Sequence, residues 1–159
     1  MKIGKKILSL GIAAFILNCS LLFSSEIYAA DILNEATETV LDYSEDTQYS
    51  VLRGNILNLG NAKISKLSSN SISVYGMTQC HRKCDNVYLS LYLERKVNGS
   101  YATYKSWDYS TTNASNLSKS LVVSVPKGYY YRIRGYHAAT DSGSSKESVT
   151  TLTNGVYVG

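Results

Sequence analysis

Reactive side chains are few, and two stretches hold most of them. Cys80-His81-Arg82-Lys83-Cys84 sets two thiols and an imidazole in one short run, and His137 is the only other histidine. A zinc site needs two ligand pairs at characteristic spacings, and one cluster falls short of that. A c-type haem needs its histidine directly after the second cysteine, which this order lacks. In an oxidising compartment, an even pair spaced Cys-x3-Cys reads instead as a disulfide between Cys80 and Cys84. So small a loop contributes about 2 kcal/mol and pins a single turn. No metal and no cofactor are expected. For acid–base work, the carboxylates beyond Asp85 are Glu94, Asp108, Asp141 and Glu147. A triad would need His137 to meet a serine and an acid beside an oxyanion site. Glu94 with Asp108 could flank a glycosidic bond, but the plainer reading is two solvent-facing strand residues. No catalytic residue is assigned, and the chain is not expected to be an enzyme.

The second stretch is Gly128–Ala138, with Tyr129, Tyr130, Tyr131, Arg132, Ile133, Arg134, Gly135, Tyr136 and His137 between. Read as a strand, its period of two sends Tyr129, Tyr131, Ile133 and Gly135 inward and Tyr130, Arg132, Arg134 and Tyr136 outward. Asn86–Val97 alternates as cleanly, with Val87, Leu89, Leu91 and Leu93 on one side and Tyr88, Ser90, Tyr92 and Glu94 on the other. Should the two strands be neighbours, Tyr88, Tyr92, Glu94, Tyr130, Arg132, Arg134 and Tyr136 share one outer face. Tyrosine and arginine are enriched at interfaces, and tyrosine rings also stack on sugars. The competing reading is a cross-strand ladder whose contacts of about 0.5–1 kcal/mol each stabilise the sheet alone.

Those strands need a scaffold, and the N-terminus comes first. Met1–Lys6 is basic, Ile7–Phe23 is mostly apolar, and Ser24–Ala30 suits cleavage near Ala29, which together read as a secretory signal peptide over residues 1–29. The expected location is therefore secreted, with no stable membrane insertion after cleavage. Export removes Lys2, Lys5, Lys6 and Glu26 and takes the formal charge from +4 to +2. So small a charge argues against nucleic acid as a partner. Asp31, Glu35, Glu38, Asp42, Glu45 and Asp46 all precede Arg53. Residues 30–52 accordingly read as an acidic, poorly ordered leader or a pro-segment, ahead of one domain over 53–159.

From Asn55 onward, short alternating runs recur between turn signals. The strands expected are Asn55–Leu59, Ala62–Leu67, Ser71–Met77, Asn86–Val97, Tyr101–Tyr109, Leu117–Val125, Tyr129–Ala138 and Glu147–Val158. Asn98-Gly99 is the strongest hairpin signal, and Gly60-Asn61, Ser68–Asn70, Pro126–Gly128 and Asp141–Ser145 supply the other breaks. Strands apolar on one side only are satisfied by an all-β antiparallel sandwich of the immunoglobulin or fibronectin III kind, or by a small closed β-barrel. Asn98, Asn113 and Asn116 each open an Asn-x-Ser pattern, read here as turn chemistry rather than as glycosylation sites.

The run Tyr129–Arg132 after a turn resembles the tyrosine-and-arginine strand of fibronectin type III domains. More closely, Val87–Arg95, Asn98-Gly99-Ser100, Lys105-Ser106-Trp107, Pro126–Arg132 and Glu147-Ser148 resemble a family of small exported bacterial proteins known only as a domain of unknown function. That resemblance spans about Arg53 to Gly159 and implies export and a β-rich fold, without an activity. The expectation is an exported, non-catalytic binding module meeting an unknown protein or carbohydrate at the cell surface. The alternative is a small secreted hydrolase of envelope or matrix polymers.

Overall fold

In a computed structural model of the chain, residues 37–50 and 56–159 are described. They form eight strands and no helix: β1 (Glu38–Thr39), β2 (Tyr43–Tyr49), β3 (Leu57–Ser68), β4 (Ser71–Val97), β5 (Ser100–Ser124), β6 (Tyr129–Thr140), β7 (Glu147–Leu152) and β8 (Gly155–Val158). The signal-peptide reading lies outside the described residues. All strands join one sheet in the order β1-β8-β6-β4-β3-β2, with β5 also on β4 and β7 also on β6. Every pairing is antiparallel except β1 on β8.

One long hairpin organises the sheet. Strand β4 changes partner halfway: up to Cys80 it pairs with β3, and from Asn86 with β6, while β5 accompanies both halves. The β4–β5 register breaks between Gln79 and Cys84, where His81, Arg82 and Lys83 are exposed and Cys80 and Cys84 are buried. A strand that crosses a corner by such an irregularity carries one layer into the next. Folding about this corner brings β3 over β6, so close that a Cβ on Gly60 would stand 2.3 Å from ring carbons of His137. The result is all-β, as expected. Of the two architectures the alternation allowed, it takes the barrel-like one, a single sheet nearly closed on itself.

The seam is closed by side chains. On β2, Asp46 Oδ2 accepts the Leu152 N–H at 2.7 Å, and Ser44 Oγ accepts that of Asn154 at 2.8 Å. Glu147 Oε2 at the start of β7 accepts the Leu57 N–H at 2.9 Å. Residues 37–50 of the expected leader are thus structural: β1 and β2 lie in the sheet, and the domain begins before Arg53. The acidic residues that suggested a solvated leader include the acceptor that the seam uses.

Several strand breaks differ from expectation for physical reasons. Gly60-Asn61 is no turn: β3 runs through it, and Gly60 is small because His137 packs there. The corner at Cys80–Cys84 leaves β4 continuous, and Asn113, with φ of 48°, lets β5 follow the same corner. Asn98 and Gly99 take φ of 53° and 86°, the left-handed pair of a two-residue hairpin turn. The interior holds Ile64, Ile72, Val74, Val87, Leu89, Leu91, Leu93, Tyr131, Ile133, Val156 and Val158, all fully buried. Tyr129, expected inward, sits at the rim and is 36% exposed.

Candidate functional site

Strands β4 and β6 are neighbours, so the two alternating runs do share a face. Register sets Tyr88 against Ala138, Ser90 against Tyr136, Tyr92 against Arg134 and Glu94 against Arg132. Tyr130 stands on the same side, paired with Tyr157 of β8 at a ring-centroid distance of 5.2 Å. All seven residues singled out from the sequence therefore lie on one side of the sheet.

They differ sharply in burial. Glu94 and Arg132 are 5% and 3% exposed, although they sit on the outer side. The Glu94 carboxylate takes Arg132 Nε at 2.7 Å and Arg134 Nε at 2.8 Å. Charges so placed are tolerated because each is paired, and their attraction offsets desolvation only with such geometry. Tyr101 of β5 closes over Arg132 with its ring centroid 4.1 Å from the guanidinium carbon. Lys96 forms an ion pair with Glu38 of β1 beside that ring. Burial, then Glu38, push the Tyr101 phenol up to about 12, with Arg132 pulling the other way. Its hydroxyl is buried without a hydrogen-bond partner among the described residues. Arg132 and Glu94 are thus the anchored floor of the face.

The accessible part lies toward the other end. Arg134 covers the Tyr92 ring at 4.6 Å, and Lys146, from the β6–β7 loop, lies 5.1 Å from the Tyr88 ring and 5.3 Å from that of Tyr136. The three rings are half-buried and held by cations, and Asp108 accepts a hydrogen bond from Ser90 between them. Sequence reasoning missed Tyr101 and Lys146. Tyr101 was within reach of it, because the Asn98-Gly99 turn pairs Lys96 with Tyr101 and so gives the two a common face. Lys146 lies in a loop, and no periodicity signals where a loop residue lands.

The remaining candidates are distributed elsewhere. His137 is fully buried inside the barrel, with Nδ1 3.1 Å from Thr78 Oγ1 and Nε2 2.9 Å from Thr151 Oγ1. Thr78 already donates its hydroxyl to the Tyr88 carbonyl, so it accepts from Nδ1–H, and Nε2 accepts from Thr151. Burial lowers the imidazole to about 4, partly opposed by a hydrogen bond to the Met77 backbone. Threonines fill both ring nitrogens, so the serine-and-carboxylate triad is not assembled at His137. Glu94 is held by arginines, while Asp108 stands opposite Ser90, so the structure does not pair these two carboxylates. Cys80 and Cys84 are free, buried thiols in hydrogen-bond contact, and burial above all pushes Cys80 up to about 12. Cys84 also donates to the Arg82 carbonyl at 3.4 Å. Among the described residues no group of three or more His, Cys, Asp or Glu side chains could hold a metal ion, and no helix is long and apolar enough to cross a membrane.

Fold and face together define a small barrel-like β domain with a cross-strand tyrosine and cation ladder on one outer side. The chain belongs to a family of unknown function, DUF6147, whose family model matches residues 28–156. No curated protein and no solved structure is significantly similar to it.

Proposed function

We propose that the protein is an exported, non-catalytic binding module that meets a protein or carbohydrate partner at the cell surface through the ladder face. The supporting observation is that Tyr88, Tyr92 and Tyr136 keep part of their rings accessible while Lys146 and Arg134 hold them in place. Rings fixed before contact lose little entropy on binding, and they can stack on a sugar or cover a peptide. Glu94 and Arg132 serve the face from beneath and do not themselves touch the partner. In this reading residues 1–29 direct export, and Cys80 and Cys84 join in the oxidising compartment and pin the corner of β4.

Immobilised mature protein should retain a reproducible component from a cell-surface extract, and free mature protein should compete for it. A variant lacking the Tyr88, Tyr92 and Tyr136 rings that retained the same component equally well would end the proposal.

A further inference from the structure

The tip of the β4–β5 hairpin carries a second cationic centre, on the opposite side of the sheet from the ladder. Arg95 pairs with Tyr131 of β6 and Ala102 of β5 and points the same way as Leu93. Its guanidinium carbon lies 4.9 Å from the Tyr104 ring centroid and 4.7 Å from that of Tyr129. Lys105 approaches the Tyr104 ring as well, at 5.6 Å. The other arginines described have carboxylates: Arg132 and Arg134 share Glu94, and Arg82 has Asp141. No carboxylate among the described residues forms an ion pair with Arg95 or Lys105. Beside Arg95 opens a pocket of about 60 Å³ lined by Arg95, Val97, Ala102, Thr103 and Tyr104.

We propose that this pocket is a binding site for a small carboxylate. Arg95 donates one hydrogen bond to the Tyr131 hydroxyl. A guanidinium so anchored, with rings on its faces, keeps further N–H donors for oxygen acceptors, and a carboxylate can take two of them with its two oxygens. Val97 and Ala102, which share the Arg95 side, form an apolar wall for a short alkyl substituent. A single guanidinium suits a monoanion better than a phosphate dianion, which has more charge and more oxygens to satisfy. The tyrosine rings fix the fork in advance, so binding orders little of the protein. The site stands apart from the ladder face and does not depend on what that face binds.

The test is an NMR titration of the full mature chain with propanoate, and in parallel with inorganic phosphate and with chloride at matched ionic strength. Propanoate should give saturable shifts confined to residues around Arg95 and Ala102–Tyr104, with chloride giving none. Arg95→Gln should weaken binding at least about tenfold, and Arg95→Lys nearly as much, because the ammonium keeps the charge and loses the fork. Val97→Asp, at an exposed residue of the pocket wall, should abolish binding with the fold kept, because it gives Arg95 a carboxylate of its own. Shifts that do not saturate, or that persist unchanged in the Arg95 and Val97 variants, overturn the proposal. Phosphate binding as tightly as propanoate overturns the carboxylate assignment.

Discussion

Glu94 holds two guanidiniums at once, and its burial makes it the most consequential single side chain of the outer face. Removing one member of a buried, hydrogen-bonded charge cluster costs about 3–5 kcal/mol, because the remaining charges lose their compensation. Glu94→Gln is therefore expected to lower unfolding free energy by roughly that amount in denaturant titrations. Tyr136→Ala, on the accessible part of the same face, should cost about 1 kcal/mol or less. His137 gives a pH signature. Its folded pKa of about 4 lies below the ordinary 6.5, so the unfolded chain takes up the proton first as pH falls. Its contribution is fully present above pH 6.5 and is lost on the way down to about 4, amounting to about 3 kcal/mol. Stability curves over that window should show the loss, and a His137→Gln variant that folds should lack that part of the slope. The cysteines differ again: buried, and with Cys80 pushed up to about 12, they should label slowly in the reduced folded protein. Mass spectrometry of exported protein should find them joined, and two free thiols there would refute the bridge.

At the scale of strands, period-two alternation was the legible part. It assigned Val87, Leu89, Leu91 and Leu93 to the core and Tyr88, Tyr92 and Glu94 to the other side, because every second residue of a strand must face the same way. Asn98-Gly99 was legible too, since left-handed backbone at both positions admits few residue pairs. Continuity through the corner was not. Nothing local distinguishes a strand that ends at Gln79 from one that bends over Cys80–Cys84 and takes a new partner, because the partner is remote in sequence. Gly60-Asn61 misled for a related reason. The glycine answers to His137, whose ring is brought there only by folding. Gly60→Ala would drive a methyl group into that ring, and over-packing of this kind costs about 1–3 kcal/mol or more. A melting temperature unchanged by Gly60→Ala would contradict the close approach of β3 to β6. Burial of Arg132 was equally hidden, because the ring that closes over it, Tyr101, comes from a strand that β6 does not pair with.

For the whole molecule, the barrel-like sheet presents two unlike surfaces. The corner and seam hold the layers together, and the ladder side offers ordered rings and cations to solvent. Arg132 looks like a natural target for mutation in the sequence, yet its burial means that replacing it tests stability. The side chains that can be removed with the fold intact are Tyr88, Tyr92 and Tyr136, so they decide between a contact surface and a ladder that merely stabilises the sheet. The most direct measurement is equilibrium binding of mature protein to intact cells and to purified wall material, comparing the native chain with a Tyr88→Ala, Tyr92→Ala, Tyr136→Ala variant whose melting confirms that it is folded. A contact surface predicts at least about a tenfold loss of affinity, since buried tyrosine rings are frequent hot spots. Equal binding by the folded variant would contradict the account and leave the tyrosines and cations a structural ladder.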